Sequence, residues 1–347
     1  MITLTHQLRL REDRRRTVRK TLETEPTPKG GLSMSLKQNL KKAGIALAGA
    51  AAMVAMSGAS FAADKILIGF SQGTLNHPWR VAMVEGNKKY AEEHYKDVEL
   101  VVTDGQNDSA KQVADVESLI ARGVKVLMIS PLTSDALTPV VQQALDAGIK
   151  VVTMDRKVNV PVTVHVGALN LPIGESAGKF LVKALDNKGK VIELQGTGGA
   201  SATVDRHDGF MKGIEGSGLE VVASQNCDYL RENAVKFMED QLQRFGPGEI
   251  QAVYAHNDEM ALGAIQALEA ANRLGEVKVV GVDGQNNAFE AIAAGKLAAT
   301  FTYPYVAPEG IEIAYKLAKG EKVDAEVILP GKQIDATNIK EMLGTGF

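Results

Sequence analysis

From Lys65 onward, short runs rich in β-branched residues alternate with stretches that have a helical hydrophobic period. Runs such as VKVLMIS (124–130) and VKVVGV (277–282) show little alternation of polar and apolar residues, which is typical of strands covered on both faces. Strands that alternate with helices favour right-handed crossovers and a parallel sheet. The pattern therefore predicts an α/β fold.

The alternation runs through two cycles, which predicts two similar α/β lobes. The segment VTVHVGA (162–168) reads as a link between them, and after LAATFTY (297–303) the chain has one more helical stretch and a turn-rich tail. That surplus indicates a chain that returns to the first lobe. The predicted helices lie near 78–95, 109–122, 135–147, 171–186, 202–216, 231–245, 258–271, 286–294 and 308–319.

The N-terminal part and the rest of the chain carry opposite net charges. Residues 1–62 hold 11 Lys and Arg against 4 Asp and Glu, a net charge of +7. Subtraction from the totals of 39 and 42 leaves 28 basic and 38 acidic residues, a net charge of −10. Because binding to a phosphate backbone needs positive charge, this acidic part argues against nucleic acid as a partner.

The basic N-terminal part has the features of a secretory signal peptide. A lysine-rich start, with Lys41 and Lys42, precedes an apolar segment, 43–56, which at 14 residues is too short to span a bilayer. Ser60 and Ala62 then supply the small residues that signal peptidase requires. The pattern predicts export to the periplasm with cleavage after Ala62.

Cleavage there would leave a mature part of 285 residues (347 − 62) that begins at Ala63. Met34 is the expected true start, which makes residues 1–33 an upstream extension. The mature part has no apolar run long enough for a membrane helix. Its single cysteine, Cys227, cannot form an internal disulfide, so an oxidising compartment does not contradict the prediction.

Polar and aromatic side chains follow the predicted strands in both cycles. Because the carboxyl ends of parallel strands meet at one edge of a sheet, we expect these side chains to converge. Two such edges that face each other would enclose a cleft, a usual place for a small-molecule site. The candidates are Gln72, His77, Trp79, Arg80, Asp104, Asp155, Arg156, Arg206, Tyr229, Asn257, Asp283 and Tyr303.

The chemistry of these residues suits a sugar. Asp, Asn and Arg present paired donors or acceptors that hold adjacent hydroxyls, and aromatic rings stack on the apolar face of a sugar ring. Two alternatives stay open. Asp155 and Arg156 also fit a structural ion pair, and in VYAHNDEMALGAIQAL (253–268) Asp258 fits a helix N-cap while Asn257 fits a ligand contact at a strand end.

The turn GTGGAS (196–201) follows a predicted strand and opens a predicted helix, as a phosphate-binding turn does. Ser201 replaces its last glycine, and no acidic residue follows about 20 residues later at a strand end, so the dinucleotide fingerprint is incomplete. A tight turn with Ser201 as N-cap accounts for the GTGGAS segment better than a dinucleotide site does. The histidines lack the paired spacing of a metal site, and no G-x-S-x-G turn or Cys/His nucleophile pair is visible. We expect no catalytic residue, no metal and no cofactor.

Several longer segments together resemble the periplasmic sugar-binding proteins of ABC transporters, in the branch that holds the ribose and galactofuranose binders. The segments are VVTMDRK, VIELQGTGGASATVDRHDGF, VYAHNDEMALGA, VVGVDG and GKLAATF, and the likeness runs along essentially the whole mature part. The resemblance implies two Rossmann-like lobes, each with a parallel sheet flanked by helices, joined by a three-crossover hinge with the ligand cleft between them. It implies one lobe from 63–168 with 304–330, and the other from 169–303 with 331–347.

The resemblance also implies which residues contact the ligand, and it gives Asp258 the role of helix cap beside Asn257. Three positions depart from the ribose type, where His77 replaces Asn, Arg80 replaces Phe and Tyr303 replaces Gln. The implied contacts are His77, Trp79, Arg80, Asp155, Arg156, Arg206, Tyr229, Asn257, Asp283 and Tyr303. The pair Trp79-Arg80 and the stretch QGTGGAS look more like the galactofuranose type.

The function implied is that of the periplasmic solute-binding component of an ABC sugar importer. Such a protein would act as a monomer, close by a hinge around a monosaccharide (a furanose or related polyol) and deliver it to a permease in the inner membrane. Two other functions stay open: an exported dinucleotide-dependent enzyme, which would depend on GTGGAS, and sugar binding for a chemoreceptor. A repressor of the same fold would carry a helix-turn-helix where this chain has the expected signal peptide.

Overall fold

The computed structural model describes residues 65–347, so the expected signal peptide and its cleavage after Ala62 lie outside the described residues. The strands in this range are β1 (Ile66–Gln72), β2 (Val98–Asp104), β3 (Val126–Ser130), β4 (Lys150–Met154), β5 (Val164–Gly167), β6 (Lys188–Gln195), β7 (Gly218–Asn226), β8 (Ala252–Ala255), β9 (Lys278–Asp283), β10 (Ala299–Thr302), β11 (Glu326–Ile328) and β12 (Gln333–Asp335). The helices are α1 (Pro78–His94), α2 (Ser109–Ala121), α3 (Ser134–Asp146), α4 (Asn170–Ala184), α5 (Ser201–Ile214), α6 (Arg231–Arg244), α7 (Asp258–Ala270), α8 (Asn286–Ala293), α9 (Glu309–Ala318) and α10 (Ile339–Met342), with a 3₁₀ turn at Leu274–Glu276.

The described strands form two sheets of equivalent topology. The first has the order β11-β5-β4-β3-β1-β2 and is parallel throughout. The second has the order β12-β10-β9-β8-β6-β7 and is parallel except for β12, which pairs antiparallel with β10. The two predicted cycles therefore fold into two sheets, which confirms the predicted α/β class with parallel sheets flanked by helices.

Helices flank each sheet, and each helix buries one apolar stripe against its sheet. In α3, for example, Leu137, Val140, Val141 and Ala144 are buried at the three- and four-residue spacing of a helix face. The strand that precedes α3, β3, is buried along its whole length. This is the near-continuous apolar pattern that the sequence run VKVLMIS predicted.

The chain passes between the two sheets three times: between β5 and α4, between β10 and α9, and between β11 and β12. Helix α9 follows a strand of the second sheet but packs on β3 and β4 of the first, where Ile311 and Ala314 are fully buried. This is the return to the first lobe that the surplus of chain predicted. One hydrophobic cluster includes both Val166 of the first sheet and Phe301 of the second.

One sequence interpretation was wrong at the level of single elements. The segment VTVHVGA is not a link, because its residues 164–167 form β5, which pairs with β4 and β11. The turn-rich tail also contributes two short strands, β11 to the first sheet and β12 to the second. No helix among residues 65–347 combines the length and apolar content that crossing a bilayer requires.

Helices α4 and α5 pack unusually closely, and this contact positions part of the site. The contact contains glycines on both helices, namely Gly174 and Gly178 on α4 and Gly209 and Gly213 on α5. A Cβ on Gly174 would overlap the carbonyl oxygen of Arg206, and one on Gly209 would overlap that of Leu171. The close approach brings the first residue of α4, Asn170, within 2.9 Å of the Arg206 Nε.

Candidate functional site

A small cavity lies where strand ends of the two sheets meet. Nine of the twelve residues predicted from the sequence line it, together with Ala202. The nine are His77, Trp79, Arg80, Asp155, Arg206, Tyr229, Asn257, Asp283 and Tyr303.

The start of α1 contributes three of these side chains. Pro78 occupies the first helical position, where its fixed φ and missing N–H are tolerated. Trp79 Nε1 donates to the Tyr303 carbonyl oxygen at 2.9 Å, which ties α1 to the second crossover. Arg80 Nη1 donates to Ser130 Oγ at 2.6 Å and pairs with Asp155 Oδ2 at 2.5 Å. Arg80 is therefore held in place by the ends of two neighbouring strands.

Asp155 and Asp283 occupy equivalent positions, since Asp155 follows β4 and Asp283 ends β9, the corresponding strands of the two sheets. Both have positive φ, 66° and 133°, and Tyr229 has φ 64°. Residues other than glycine rarely adopt such angles, and strained backbone of this kind clusters at ligand sites. The repeated fold thus places one carboxylate from each sheet at the cavity.

The two carboxylates differ in their electrostatic surroundings. Burial opposes ionisation of Asp155, but Arg80 and Arg156 outweigh it and hold its pKa below the usual range. Burial raises the pKa of Asp283 well above its usual range, although Arg206 opposes the shift. Asp155 is therefore a fixed anion, whereas Asp283 gains from a ligand that donates hydrogen bonds to its carboxylate.

Arg206, on α5, is held by partners from two other elements. Its Nε donates to Asn170 Oδ1, and its Nη1 donates to the His256 carbonyl oxygen. Its guanidinium lies over the Tyr303 ring, 4.4 Å from the centroid. Such a stacked, hydrogen-bonded guanidinium is fixed in orientation before any ligand enters.

The sequence assigned the helix cap to Asp258, and the structure reverses that assignment. Asn257 is the N-cap of α7: its Oδ1 accepts from the Met260 N–H at 3.0 Å, and its Nδ2 donates to the Tyr229 carbonyl oxygen at 3.1 Å. Asp258 is fully buried and holds the turn after Asp283 instead.

The carboxylate of Asp258 accepts hydrogen bonds from residues that are distant in sequence. Its Oδ2 accepts from the N–H groups of Gly284 (2.8 Å) and Gln285 (2.9 Å), and its Oδ1 accepts from Thr300 Oγ1 at 2.6 Å. Burial raises the pKa of Asp258 to about 6, and these hydrogen bonds limit the rise. Asp258 therefore fixes the backbone next to Asp283.

Three predicted residues do not line the cavity. Arg156 is buried behind it, where Nη1 donates to the Leu132 carbonyl oxygen at 2.8 Å. Gln72 uses its amide locally, since Oε1 accepts from the Gly73 N–H at 3.1 Å. Asp104 ends β2, the edge strand of the first sheet, and its Oδ1 accepts from Gln106 N–H in a local turn.

The position of Asp104 explains a misleading likeness in the sequence. VVTDGQN (101–107) and VGVDGQN (280–286) both end in DGQN, but Asp104 ends an edge strand while Asp283 ends an interior strand of its sheet. The counterpart of Asp283 in the first sheet is Asp155, whose flanking sequence is different. Topology and not local sequence relates the two site carboxylates.

The GTGGAS turn does not use Ser201 as a helix cap. Helix α5 begins at Ser201, its N-cap is Ala200, and Ser201 Oγ accepts from the Lys157 N–H at 2.8 Å. Nearby, the Ser134 N–H donates to the Gly199 carbonyl oxygen at 3.0 Å. The turn therefore forms two hydrogen bonds with segments that follow strands of the first sheet.

Sequence reasoning missed two residues that support the cavity. Asn170 Nδ2 donates to Tyr303 Oη at 3.0 Å, and Ser130 Oγ donates to Asp155 Oδ2 at 3.3 Å. Ser130 ends β3, so the rule that identified the other strand-end residues also applies to it. Asn170 follows a crossover and carries no such local signal.

Several polar atoms at the cavity have no protein partner among the described residues. Both ring nitrogens of His77 and the Nε of Arg80 are buried without a hydrogen bond. Burial, with Arg80 and Arg156 nearby, lowers the pKa of His77 well below its usual value, so the ring is neutral and offers one donor and one acceptor. Such unpaired buried atoms are costly unless a ligand or water engages them. No group of His, Cys, Asp and Glu among residues 65–347 is arranged to hold a metal ion.

Comparison with known proteins identifies a family. The sequence model of the periplasmic binding protein domain matches residues 68–322. The ribose import binding protein of Salmonella typhimurium is 38% identical over 291 residues, which cover 83% of this chain and 96% of that protein. The galactofuranose-binding protein of Escherichia coli is 35% identical over 255 residues, which cover 71% of this chain and 79% of that protein.

A solved structure supports the same relationship. The ABC transporter solute binding protein of Bacillus halodurans, with bound myo-inositol, superimposes with a TM-score of 0.76 at 32% identity and covers 80% of this chain and 96% of that one. All three relatives are described as binding proteins, which confirms the prediction that the chain binds a solute and catalyses no reaction.

Proposed function

The chain belongs to the periplasmic binding protein family, in its ribose- and galactofuranose-binding branch, and on that basis we propose that it captures one neutral monosaccharide or related polyol, preferably a furanose, for an ABC permease of the inner membrane. The observation that carries the proposal is the cavity at the meeting of the strand ends, which polar and aromatic side chains from both sheets line. Its planar polar groups and aromatic rings suit adjacent hydroxyls and the apolar face of a sugar ring. The proposed ligand contacts are His77, Trp79, Arg80, Asp155, Arg206, Tyr229, Asn257, Asp283 and Tyr303, with Arg156 behind them.

The hydrogen bonds of the three arginines support a neutral ligand. Arg80 pairs with Asp155, and Arg206 is engaged by Asn170 and the His256 carbonyl. Arg156 donates to backbone carbonyl oxygens. These contacts occupy several guanidinium N–H groups, so fewer donors are left for an anionic ligand, and the sugar acids in the test below decide whether the net positive charge of the arginines binds one.

Calorimetry tests the ligand class. Purified protein is titrated with ribose, galactofuranose, L-arabinose, fructose, D-allose and myo-inositol, and separately with sugar acids and NAD. We expect tight binding of one neutral member and none of NAD. Tighter binding of a sugar acid would overturn the neutral assignment, and binding of NAD with no sugar would revive the dinucleotide-dependent enzyme.

We further propose that the ligand closes a hinge between two lobes, one from 63–168 with 304–330 and the other from 169–303 with 331–347. Three chain crossings join the two sheets, which suits rotation of one lobe against the other. Ligand would favour the closed form because only there do both sets of contacts form. Small-angle scattering should show a smaller radius of gyration at saturating sugar, and an unchanged profile would contradict the hinge.

We also propose export through a signal peptide cleaved after Ala62 and action as a monomer. The lysine-rich start, the apolar segment 43–56 and the small residues Ser60 and Ala62 support the cleavage. Intact-mass measurement on protein from the periplasmic fraction should give a chain that begins at Ala63, and light scattering should give the mass of one chain. A full-length product in the cytoplasm would contradict the localisation.

A further inference from the structure

A polar cluster centred on a buried carboxylate is connected to the cavity through His256 and contains none of the residues assigned to the ligand. At its centre is Glu193, on β6, which is fully buried. Its carboxylate accepts hydrogen bonds from His256 Nε2 (3.0 Å), His207 Nδ1 (2.9 Å), Gln195 Nε2 (2.9 Å) and Ser224 Oγ (2.9 Å). An ionised carboxylate is the group that accepts this many donors.

The protonation states within the cluster follow from these contacts. Burial would raise the pKa of Glu193, but the hydrogen bonds from His256 and His207 hold it at about 2. Burial lowers the pKa of His256 although Glu193 opposes the shift, so the ring is neutral. Its Nε2–H then donates to Glu193, and its Nδ1 accepts from the Gly196 N–H at 3.4 Å. Both ring nitrogens are used, and the ring orientation is fixed.

His256 connects this cluster to the cavity in three ways. It precedes Asn257 in the chain, and its carbonyl oxygen accepts the hydrogen bond from Arg206 Nη1. Its ring holds Gly196, against which the Tyr229 ring packs so closely that a Cβ on Gly196 would overlap it. His256 therefore supports Tyr229 through its ring and Gly196, and supports Arg206 and Asn257 through its backbone, whose position the fixed ring helps to set.

We propose that Glu193 and His256 act as a positioning pair for the sugar site: Glu193 fixes the His256 ring, and His256 fixes the groups of the second lobe that meet the ligand. The inference rests on the proposed function for its binding readout. Neither residue lines the cavity, so any effect on binding must pass through Arg206, Asn257 or Tyr229.

The binding test uses the full protein and the sugar of the panel above that the wild type binds most tightly. Glu193→Gln places an amide N–H₂ group opposite side chains that are themselves hydrogen-bond donors. His256→Phe removes both hydrogen bonds of the ring. Each variant should therefore bind the sugar about 10-fold more weakly or worse. His256→Gln keeps a donor for Glu193 and should stay within about 3-fold of the wild type. Glu276→Gln is the matched control, because Glu276 pairs with Arg273 in the 3₁₀ turn, away from the cavity.

A second readout needs no ligand. ¹⁵N NMR of the ligand-free wild type should show His256 as the neutral Nε2–H tautomer at about pH 7 and an exchange-protected Arg206 Nη1–H, the group that donates to the His256 carbonyl oxygen. His256→Phe should lose that Arg206 signal while keeping a folded spectrum. If the wild type bound no sugar of the panel, the proposed function would fail and this readout would still decide the positioning role. A charged or Nδ1–H ring, wild-type affinity in Glu193→Gln and His256→Phe, or equal weakness of His256→Gln and His256→Phe would overturn the inference.

Discussion

The Tyr303 hydroxyl donates a 2.6 Å hydrogen bond to Asp155 Oδ1 and accepts one of 3.0 Å from Asn170 Nδ2. Asp155 follows a strand of the first sheet, whereas Asn170 begins the helix that precedes the first strand of the second sheet and also accepts from Arg206. A continuous hydrogen-bond chain thus runs from Arg80 through Asp155, Tyr303 and Asn170 to Arg206. Tyr303 connects the two ends of this chain.

We expect Tyr303→Phe to weaken sugar binding, because it leaves the buried Asp155 without one of its donors. Loss of a hydrogen bond to a charged group costs about 1–3 kcal/mol, or roughly 5- to 150-fold in Kd. Calorimetry with the tightest sugar of the panel measures the change. Tyr315→Phe is the control, since that hydroxyl lies 3.3 Å from Asp97 at the surface of the first lobe. Equal affinities for both variants would contradict the role of Tyr303.

We expect Asp283→Ala to abolish measurable sugar binding while the protein stays folded. Removal of a buried charged partner typically costs about 2–5 kcal/mol, which is roughly 30- to several-thousand-fold in Kd. Asp104→Ala is a closely matched control, because it changes the same residue type in the same DGQN sequence outside the cavity. Asp104→Ala should bind like the wild type, and a comparable loss in both variants would show that the cavity is misassigned.

We expect Ser201→Ala to weaken binding by about 5-fold, since it removes the acceptor of the Lys157 N–H and one neutral hydrogen bond contributes about 1 kcal/mol. We expect this hydrogen bond to stabilise the closed form. At subsaturating sugar, the radius of gyration of Ser201→Ala should therefore be larger than that of the wild type. Ser176→Ala, which removes a hydroxyl that bonds within α4, should change neither quantity. If Ser201→Ala has the same closed fraction as the wild type, the hydrogen bond of the GTGGAS turn does not stabilise the closed form.

We expect Gly209→Ala to lower the free energy of unfolding by about 1–3 kcal/mol, because the added methyl group would force α4 and α5 apart. Gly275→Ala is the control, since no atom lies within 4 Å of a Cβ at that position. Denaturant unfolding of both variants measures the difference. Equal stability of the two proteins would contradict the tight helix contact.

We expect His165 to destabilise the protein as the pH drops from about 6.5 to about 4, a contribution that Asp258 opposes because its pKa is raised to about 6. Burial, with Lys157 nearby, lowers the pKa of His165 from 6.5 to about 4. The unfolded chain therefore binds the proton first, and stability is present above pH 6.5 and lost as the pH falls through this window. One such proton gives a slope of at most about 1.4 kcal/mol per pH unit.

Urea unfolding of His165→Asn across this range should show a shallower slope than the wild type. His165 Nδ1 lies 3.0 Å from Thr153 Oγ1, a contact that the Asn amide can still make. His94→Asn, at an exposed position, should retain the wild-type slope. An unchanged slope in His165→Asn would assign the acid sensitivity to other buried groups.

The sequence predicted the elements better than it predicted the partners of single side chains. Hydrophobic period and β-branched runs located the long helices and strands, because both are local properties. Strands β11 and β12 have three residues each, and what makes them strands is pairing with β5 and β10. No local pattern specifies such a pairing.

Asn257 and Asp258 show the same limit within the site. Both residue types are good helix caps, so local preference could not decide between them. The carboxylate of Asp258 is instead satisfied by Gly284, Gln285 and Thr300, which lie 26 to 42 residues further along the chain. Asn170 was missed for a related reason, since its partners Arg206 and Tyr303 lie 36 and 133 residues away.

The late return of the chain to the first sheet sets the order in which the protein can be completed. Helix α9 covers β3 and β4, and β11 borders β5, but both come after the whole of β6 to β10. Because the chain is made from its N-terminus, the apolar face of β3 and β4 that Ile311 and Ala314 cover stays exposed until residue 318 has left the ribosome. The second sheet gains β12 only a few residues later. Neither sheet therefore has all of its strands and covering helices until the last 30 or so residues have been made.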